Sequence, residues 1–152
     1  MKLFPSMNHP GVWITTIMAS SILMITMGTR QSMGLYVGPL NTDTGLGIVS
    51  ISLAMAIGQF VWGAIQPIAG AFADKFGPRP VLLSGLLILV LGSALTPFVS
   101  SQLGLILTLG LLTAIGSGAC SFSVLLGAVA QRMPATSRGT ASGIINAGSS
   151  FG

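Results

Sequence analysis

Residues Thr44–Ala73 read TGLGIVSISLAMAIGQFVWGAIQPIAGAFA, 30 positions without a charge, and Asp74-Lys75-Phe76-Gly77-Pro78-Arg79 follows at once. A membrane span needs about 20 apolar residues. As a helix this run would be about 45 Å long at about 1.5 Å per residue, so it must tilt in, or protrude from, a hydrocarbon core of about 30 Å. Its apolar character is continuous and does not alternate. That pattern predicts a helix and excludes a strand of a membrane barrel.

Comparable runs lie on both sides. Gly11 to Thr29 is uncharged, Arg30 interrupts, and apolar sequence resumes to Leu40. Val81 to Gln131 is uncharged but broken by Pro97, Ser100, Ser101 and Gln102. A last run starts near Gly139 and continues to Gly152. The chain therefore reads as an all-α membrane protein. A short tail, 1–10, precedes spans at about 11–39, 46–73, 80–99 and 103–131, and a fifth begins at 139–152.

Composition agrees. The chain is 51% hydrophobic and 5% charged, whereas a soluble domain carries about 25% charged residues. The net charge of +4 comes from scattered basic residues, not from the basic patch that nucleic-acid binding requires. Cys120 has no second cysteine to pair with, and no Cys/His cluster offers a metal site. His9 sits in the tail and carries no assigned role. No nucleophile–base pair or phosphate loop suggests an enzyme, and no cofactor is implied. The first apolar run exceeds a signal-peptide core and lacks a cleavage site.

Charge placement orients the chain. With the N-terminus in the cytoplasm of a cell inner (plasma) membrane, Lys2, Lys75, Arg79, Arg132 and Arg138 all lie inside. The outer loops 41–43 and 100–102 carry no Lys or Arg, as the positive-inside bias demands. Helix association in lipid depends on small residues. Four stripes are candidates: Gly110/Ala114/Gly118, Gly139/Gly143/Ala147, Gly85/Gly92 and Gly63/Gly70.

The segment Gly70-Ala71-Phe72-Ala73-Asp74-Lys75-Phe76-Gly77-Pro78-Arg79 resembles motif A of the major facilitator superfamily, G-x-x-x-D-[RK]-x-G-[RK]-[RK], in the loop between helices 2 and 3. Pro78 departs from it, since the family often has a basic residue there. Thr29-Arg30-Gln31-Ser32-Met33-Gly34-Leu35 is similar to the T-R-Q-S-F-G-L/V stretch of bacterial facilitators grouped with monocarboxylate and oxalate/formate carriers. Trp62-Gly63, Gln66-Pro67 and the segment from Arg138 to Ser149 are similar to that group as well. Leu112 stands where many drug and sugar facilitators carry a helix-4 arginine. The resemblance implies a partial N-terminal six-helix bundle with four full transmembrane helices and the start of a fifth. A full facilitator has two such halves and a substrate site between them. The expectation is that this chain is the N-terminal portion and that the C-terminal half is its missing partner.

The resemblance also gives Asp74 a role in a cytoplasmic latch of the outward-open state, with Gly70, Lys75, Gly77 and Arg79 in support. A plain charged turn that fixes topology is the alternative. An acid near a helix C-terminus opposes the macrodipole, so Asp74 needs a cationic partner or the N-terminus of another helix.

Arg30 is the leading substrate-binding candidate. It lies about 14 Å inside the outer end of the first span. A charge at mid-bilayer costs about 2.5–3.5 kcal/mol on insertion scales. No acid lies in any predicted span. An anionic substrate supplies the missing partner, because a guanidinium fork fits a carboxylate. Snorkelling to outer headgroups is the alternative. Gln59 and Gln66, one heptad apart, and Gln31 are further substrate-binding candidates, with helix–helix hydrogen bonding as their other reading. Tyr36, Trp62, Ser117, Ser121, Ser123 and Asn146 are weaker ones. The implied function is alternating-access transport of a small, monocarboxylate-like organic anion. A drug or metabolite exporter of the same fold, and a non-transporting small membrane protein, remain alternatives. With no acid or histidine in the spans, proton coupling, substrate-borne protons and exchange all stay open.

Overall fold

The computed structural model describes residues 10–131 and 137–151. The assignments made to Lys2, His9 and Arg132 lie outside the described residues. Every regular element among the described residues is helical. Helix α1 spans Pro10–Ser32, a 3₁₀ turn follows at Met33–Tyr36, and α2 spans Val37–Thr44. Helices α3 (Ile48–Phe76) and α4 (Pro78–Leu95) come next, α4 running on through a 3₁₀ turn, Thr96–Phe98. The fourth rod comprises α5 (Gln102–Leu105), a π-helical segment (Ile106–Leu112), α6 (Thr113–Ala119) and α7 (Phe122–Ala130). Helix α8 spans Arg138–Phe151.

Sequence explains most of the boundaries. Gly45 closes α2 at φ +65°, and its N–H bonds to Asn41 O, a left-handed cap natural to glycine. Gly77 ends α3 at φ +89°, and Pro78 opens α4, where a missing N–H is harmless. Ser101 caps α5 by accepting from Gly104 N at 3.2 Å. Helix α3 runs through Pro67 without losing its helical assignment.

Three helices among the described residues are long and apolar enough to cross a membrane: Ile48–Phe76, Pro78–Phe98 and Gln102–Ala130. Helix α1 adds 23 residues. Two of the runs read as unbroken from sequence are interrupted. The run 11–39 contains the 3₁₀ turn. The run 103–131 changes to π geometry and then breaks at Cys120–Ser121, where Ser121 is extended at φ −70°, ψ 163°. Gly116 and Gly118 just before the break each disfavour helix by about 1 kcal/mol relative to alanine. Its polar backbone is still satisfied, as lipid demands: Cys120 N bonds to Gly116 O at 3.3 Å and Ser121 N to Gly118 O at 3.2 Å.

Close approach explains where α6 sits. A Cβ at Gly116 would lie 2.5 Å from Leu89 N, and one at Gly118 would lie 3.2 Å from Trp62 O. A Cβ at Gly85 would meet Ala119 Cβ at 2.7 Å, and one at Gly92 would meet Leu112 Cβ at 2.8 Å. Helix α6 is thus wedged between the backbones of α3 and α4, which accounts for the Gly85/Gly92 and Gly110/Ala114/Gly118 stripes. At the other two stripes, no described residue lies within 4 Å of a Cβ at Gly63, Gly70, Gly139 or Gly143. Helix α8 instead turns Ala141, Ile145 and Gly148 towards α1, where Ser20 Oγ donates to Ile144 O at 3.1 Å. The outward faces carry Val49, Phe60 and Phe98, each more than three-quarters exposed. Lipid solvates such faces and water does not.

Candidate functional site

The last turn of α1 carries Arg30 towards α3. Gln59 and Trp62 stand three residues apart on α3 and therefore share a face. Arg30 Nη2 donates to Gln59 Oε1. The guanidinium carbon lies 4.4 Å from the centroid of the Trp62 ring. A cation over an indole face is stabilised by about 0.5–2 kcal/mol, most when water is excluded. One N–H of the guanidinium is thus taken by an amide, and the cation sits over an aromatic ring.

Arg30 and Gln59 border a cavity of about 140 Å³. Met33, Met55, Leu89 and Leu109 form its apolar walls, and Thr29, Thr113, Gly34 and Gly58 complete the lining with Arg30 and Gln59. At Gly58 the backbone of α3 nearly touches the π segment, since a Cβ there would be 3.2 Å from Leu109 O. The two threonine hydroxyl protons are already committed: Thr29 Oγ1 donates to Ile25 O at 2.8 Å and Thr113 Oγ1 to Leu109 O at 2.6 Å. Gln59 Oε1 accepts from Arg30, so its amide N–H groups are left to donate. The cavity therefore offers N–H donors from Arg30 and Gln59, and no carboxylate lines it. Its chemistry suits a ligand made of acceptors.

A larger cavity of about 590 Å³ adjoins it and shares Thr29, Met33 and Leu109. Its polarity is the reverse. Asp43 lines it with Tyr36, Ser93 and several hydroxyls. Ser32, Thr44 and Thr96 donate their protons to backbone carbonyls four residues earlier, at 2.6, 2.6 and 2.7 Å, and turn only lone pairs to the space. A cavity with one carboxylate and several hydroxyl acceptors thus adjoins a smaller, donor-rich chamber.

The sequence-predicted residues divide accordingly. Arg30 and Gln59 are brought together. Gln31 is exposed, about 100° round the helix from Arg30, and Gln66 is half-buried two turns along α3; neither lines these two cavities. Asp74, Lys75 and Arg79 are exposed at the α3–α4 turn. Lys75 Nζ lies 5.3 Å from the Phe76 ring centroid. Sequence reading missed that Trp62 is the platform for Arg30, although its spacing from Gln59 on one helix face was the available signal. Trp62 Nε1 is buried and meets no acceptor among the described residues.

The profile of the Major Facilitator Superfamily matches residues 12–152. The chain belongs to the major facilitator superfamily. As a facilitator it is a multi-pass membrane protein of a transporter family, not of an enzyme family. It is 29% identical over 140 residues to the oxalate:formate antiporter of Oxalobacter formigenes, covering 92% of this chain and 33% of that protein. It is 35% identical over 115 residues to a Cupriavidus necator protein described as "Probable sulfoacetate transporter SauU", covering 76% of this chain and 24% of the other. Monocarboxylate transporter 13 of Bos taurus is 29% identical over 106 residues, 70% of this chain and 24% of that protein. The chain spans a third or less of the length of these relatives. All three names refer to transport of organic anions, in line with the resemblance read from Thr29–Leu35.

Proposed function

We propose that this chain supplies the anion-binding side of a secondary carrier for a small organic anion, with Arg30 as the counter-ion of the transported carboxylate. The observation that carries the reading is the pairing of the Arg30 guanidinium with a neutral amide and a ring, beside a cavity that no acid lines. A desolvated cation without an internal anion is poised to accept an external one. The relatives' names supply the substrate class: oxalate, formate, sulfoacetate and monocarboxylates are all carboxylates.

Further helices complete the pathway, as the relatives' greater length suggests, and transport proceeds by alternating access. The N-terminus lies in the cytoplasm of the cell inner membrane, which places Lys75, Arg79 and Arg138 inside. The vestibule beside Asp43 then opens outwards. Gly70, Asp74, Lys75, Gly77 and Arg79 act as the cytoplasmic latch, and the exposure of Asp74 leaves its carboxylate available to a partner helix. Gln59 donates its amide N–H to the anion that Arg30 holds.

The test is uptake of radiolabelled formate, acetate and oxalate into proteoliposomes containing the full-length carrier. Saturable uptake of at least one is expected, and Arg30→Ala should reduce uptake at least 100-fold, about 2.7 kcal/mol of transition-state stabilisation. Undiminished uptake by Arg30→Ala removes Arg30 from the site.

A further inference from the structure

The two cavities meet at Thr29, Met33 and Leu109, which line both. Residues shared in this way stand on the boundary between the two spaces. Two of them are held in place. Thr29 is short, and its hydroxyl donates to Ile25 O at 2.8 Å. Leu109 is buried, and its carbonyl packs against the α3 backbone at Gly58. Met33 differs. It opens the 3₁₀ turn after α1, is only half-buried, and packs against the cluster of Ile51, Ala54, Leu105 and Leu109. It lies three residues beyond Arg30, one turn along the same face. An unbranched thioether with three rotatable bonds is the side chain best able to fill, or to leave, such a gap.

We propose that Met33 limits the length of the substrate: it closes the anion chamber against the larger cavity, so that a carboxylate is held with its head at Arg30 and its tail confined beside Met33. The proposal rests on the reading of Arg30 as the anion's counter-ion. A chamber of about 140 Å³ has the room of roughly five waters at about 30 Å³ each, which suits a carboxylate of two or three carbons. A longer tail has to leave the chamber, and the adjoining space is the cavity of about 590 Å³. Leu40, Pro97 and Val99 are among the walls of that cavity, so a tail that reached it would find apolar partners. Each CH₂ buried there would strengthen binding roughly 4-fold. Met33 stands between the tail and that gain. Selection for short chains thus comes from one flexible side chain, and not from a shortage of space beyond it.

The experiment measures how well unlabelled propionate, butyrate and hexanoate compete with uptake of radiolabelled acetate into proteoliposomes of the full-length carrier. In the parent, the Ki of hexanoate should exceed the KM of acetate by about 10-fold or more. Met33→Ala should lower the hexanoate Ki by about 10-fold or more and change the acetate KM by less than about 3-fold. Met55 lines the chamber but not the larger cavity. Met55→Ala should therefore favour butyrate by roughly 4-fold and leave hexanoate excluded. Folding loss in Met33→Ala is bypassed within a single protein. In a carrier whose native cysteines are replaced, Cys120→Ala among them, Met33→Cys shortens the side chain. Methyl methanethiosulfonate lengthens it again: the thiolate takes up a methylthio group, methanesulfinate leaves, and the product is close to methionine in length. Hexanoate should compete before this treatment, weaken by about 10-fold after it, and compete again once dithiothreitol has reduced the mixed disulfide. A chain-length series that neither Met33→Ala nor the methylthio switch moves, with acetate uptake still dependent on Arg30, overturns this proposal alone. A parent that takes hexanoate as readily as acetate overturns it too, and so does relief by Met55→Ala equal to that by Met33→Ala. A parent that carries no acetate, or whose acetate uptake survives Arg30→Ala undiminished, fails the Arg30 reading first, and the length limit falls with it.

Discussion

Replacing Gln59 with glutamate changes almost no volume but places a carboxylate where the amide oxygen now accepts from Arg30 Nη2. The introduced group is an internal copy of the anion that the site is proposed to bind. Two unit charges about 4 Å apart attract by about 4 kcal/mol at an effective dielectric of about 20. If desolvation cancels half of that, about 2 kcal/mol remains, a competition of roughly 30-fold against external substrate. Gln59→Glu should therefore raise the carboxylate KM by 30-fold or more at neutral pH, or abolish uptake within the measurable range. Acidification reverses the sign. Once protonated, the introduced carboxyl no longer neutralises Arg30, so uptake by Gln59→Glu should recover as pH falls, relative to the parent at each pH. The assay is initial-rate uptake of radiolabelled acetate in proteoliposomes clamped at a series of pH values. A Gln59→Glu carrier whose KM stays within 3-fold of the parent at neutral pH refutes the claim that the Arg30 charge is the binding determinant.

At Gly116 a new Cβ would meet Leu89 N, Gly85 O and Leu89 Cα at 2.5–2.7 Å, all backbone and none able to swing aside. Gly116→Ala should therefore destabilise by about 1–3 kcal/mol or more through overpacking, whereas Gly127→Ala, with nothing within 4 Å of its Cβ, should be neutral or slightly stabilising by helix propensity; melting temperatures of the detergent-solubilised proteins decide, and equal values would be the adverse result. Asp43→Asn removes the sole acidic side chain lining the outer cavity. It should raise the apparent affinity for anions by a few-fold at low salt and much less at high salt, where about 10 Å of Debye length at ~0.1 M screens the carboxylate; an affinity independent of Asp43 at low salt would argue that the vestibule is not the entry route.

Hydropathy made the rods legible because lipid forces backbone hydrogen bonds to be closed within each segment. The long uncharged run 44–73 therefore became α3 almost as read. The Gly77-Pro78 turn was equally legible, since a positive φ and a missing N–H each leave a residue-type signature. The interior of the fourth rod was not. A π segment and a break at Cys120–Ser121 arise from how α6 fits between α3 and α4, a tertiary effect with no periodicity of its own to detect. The face that α8 buries against α1 was hidden for a related reason. Gly139/Gly143/Ala147 and Ala141/Ile145/Gly148 both follow helical spacing, and only the position of Ser20 on α1 selects the second. At the site, the unpaired charge of Arg30 marked the cavity from sequence. Its partner Trp62 was hidden because tryptophan in a membrane helix has many ordinary explanations, interfacial anchoring among them.

The two features that sequence concealed are connected. Helix α6 comes close to α3 because Gly118 lacks a side chain, and it meets Ile65 and the backbone carbonyl of Trp62, whose ring lies beneath Arg30. The π segment that precedes α6 contributes Leu109 to both cavities, and Thr113, the first residue of α6, lines the inner one. The irregular rod thus forms a wall of the site and also packs against the backbone of the turn of α3 that carries Trp62.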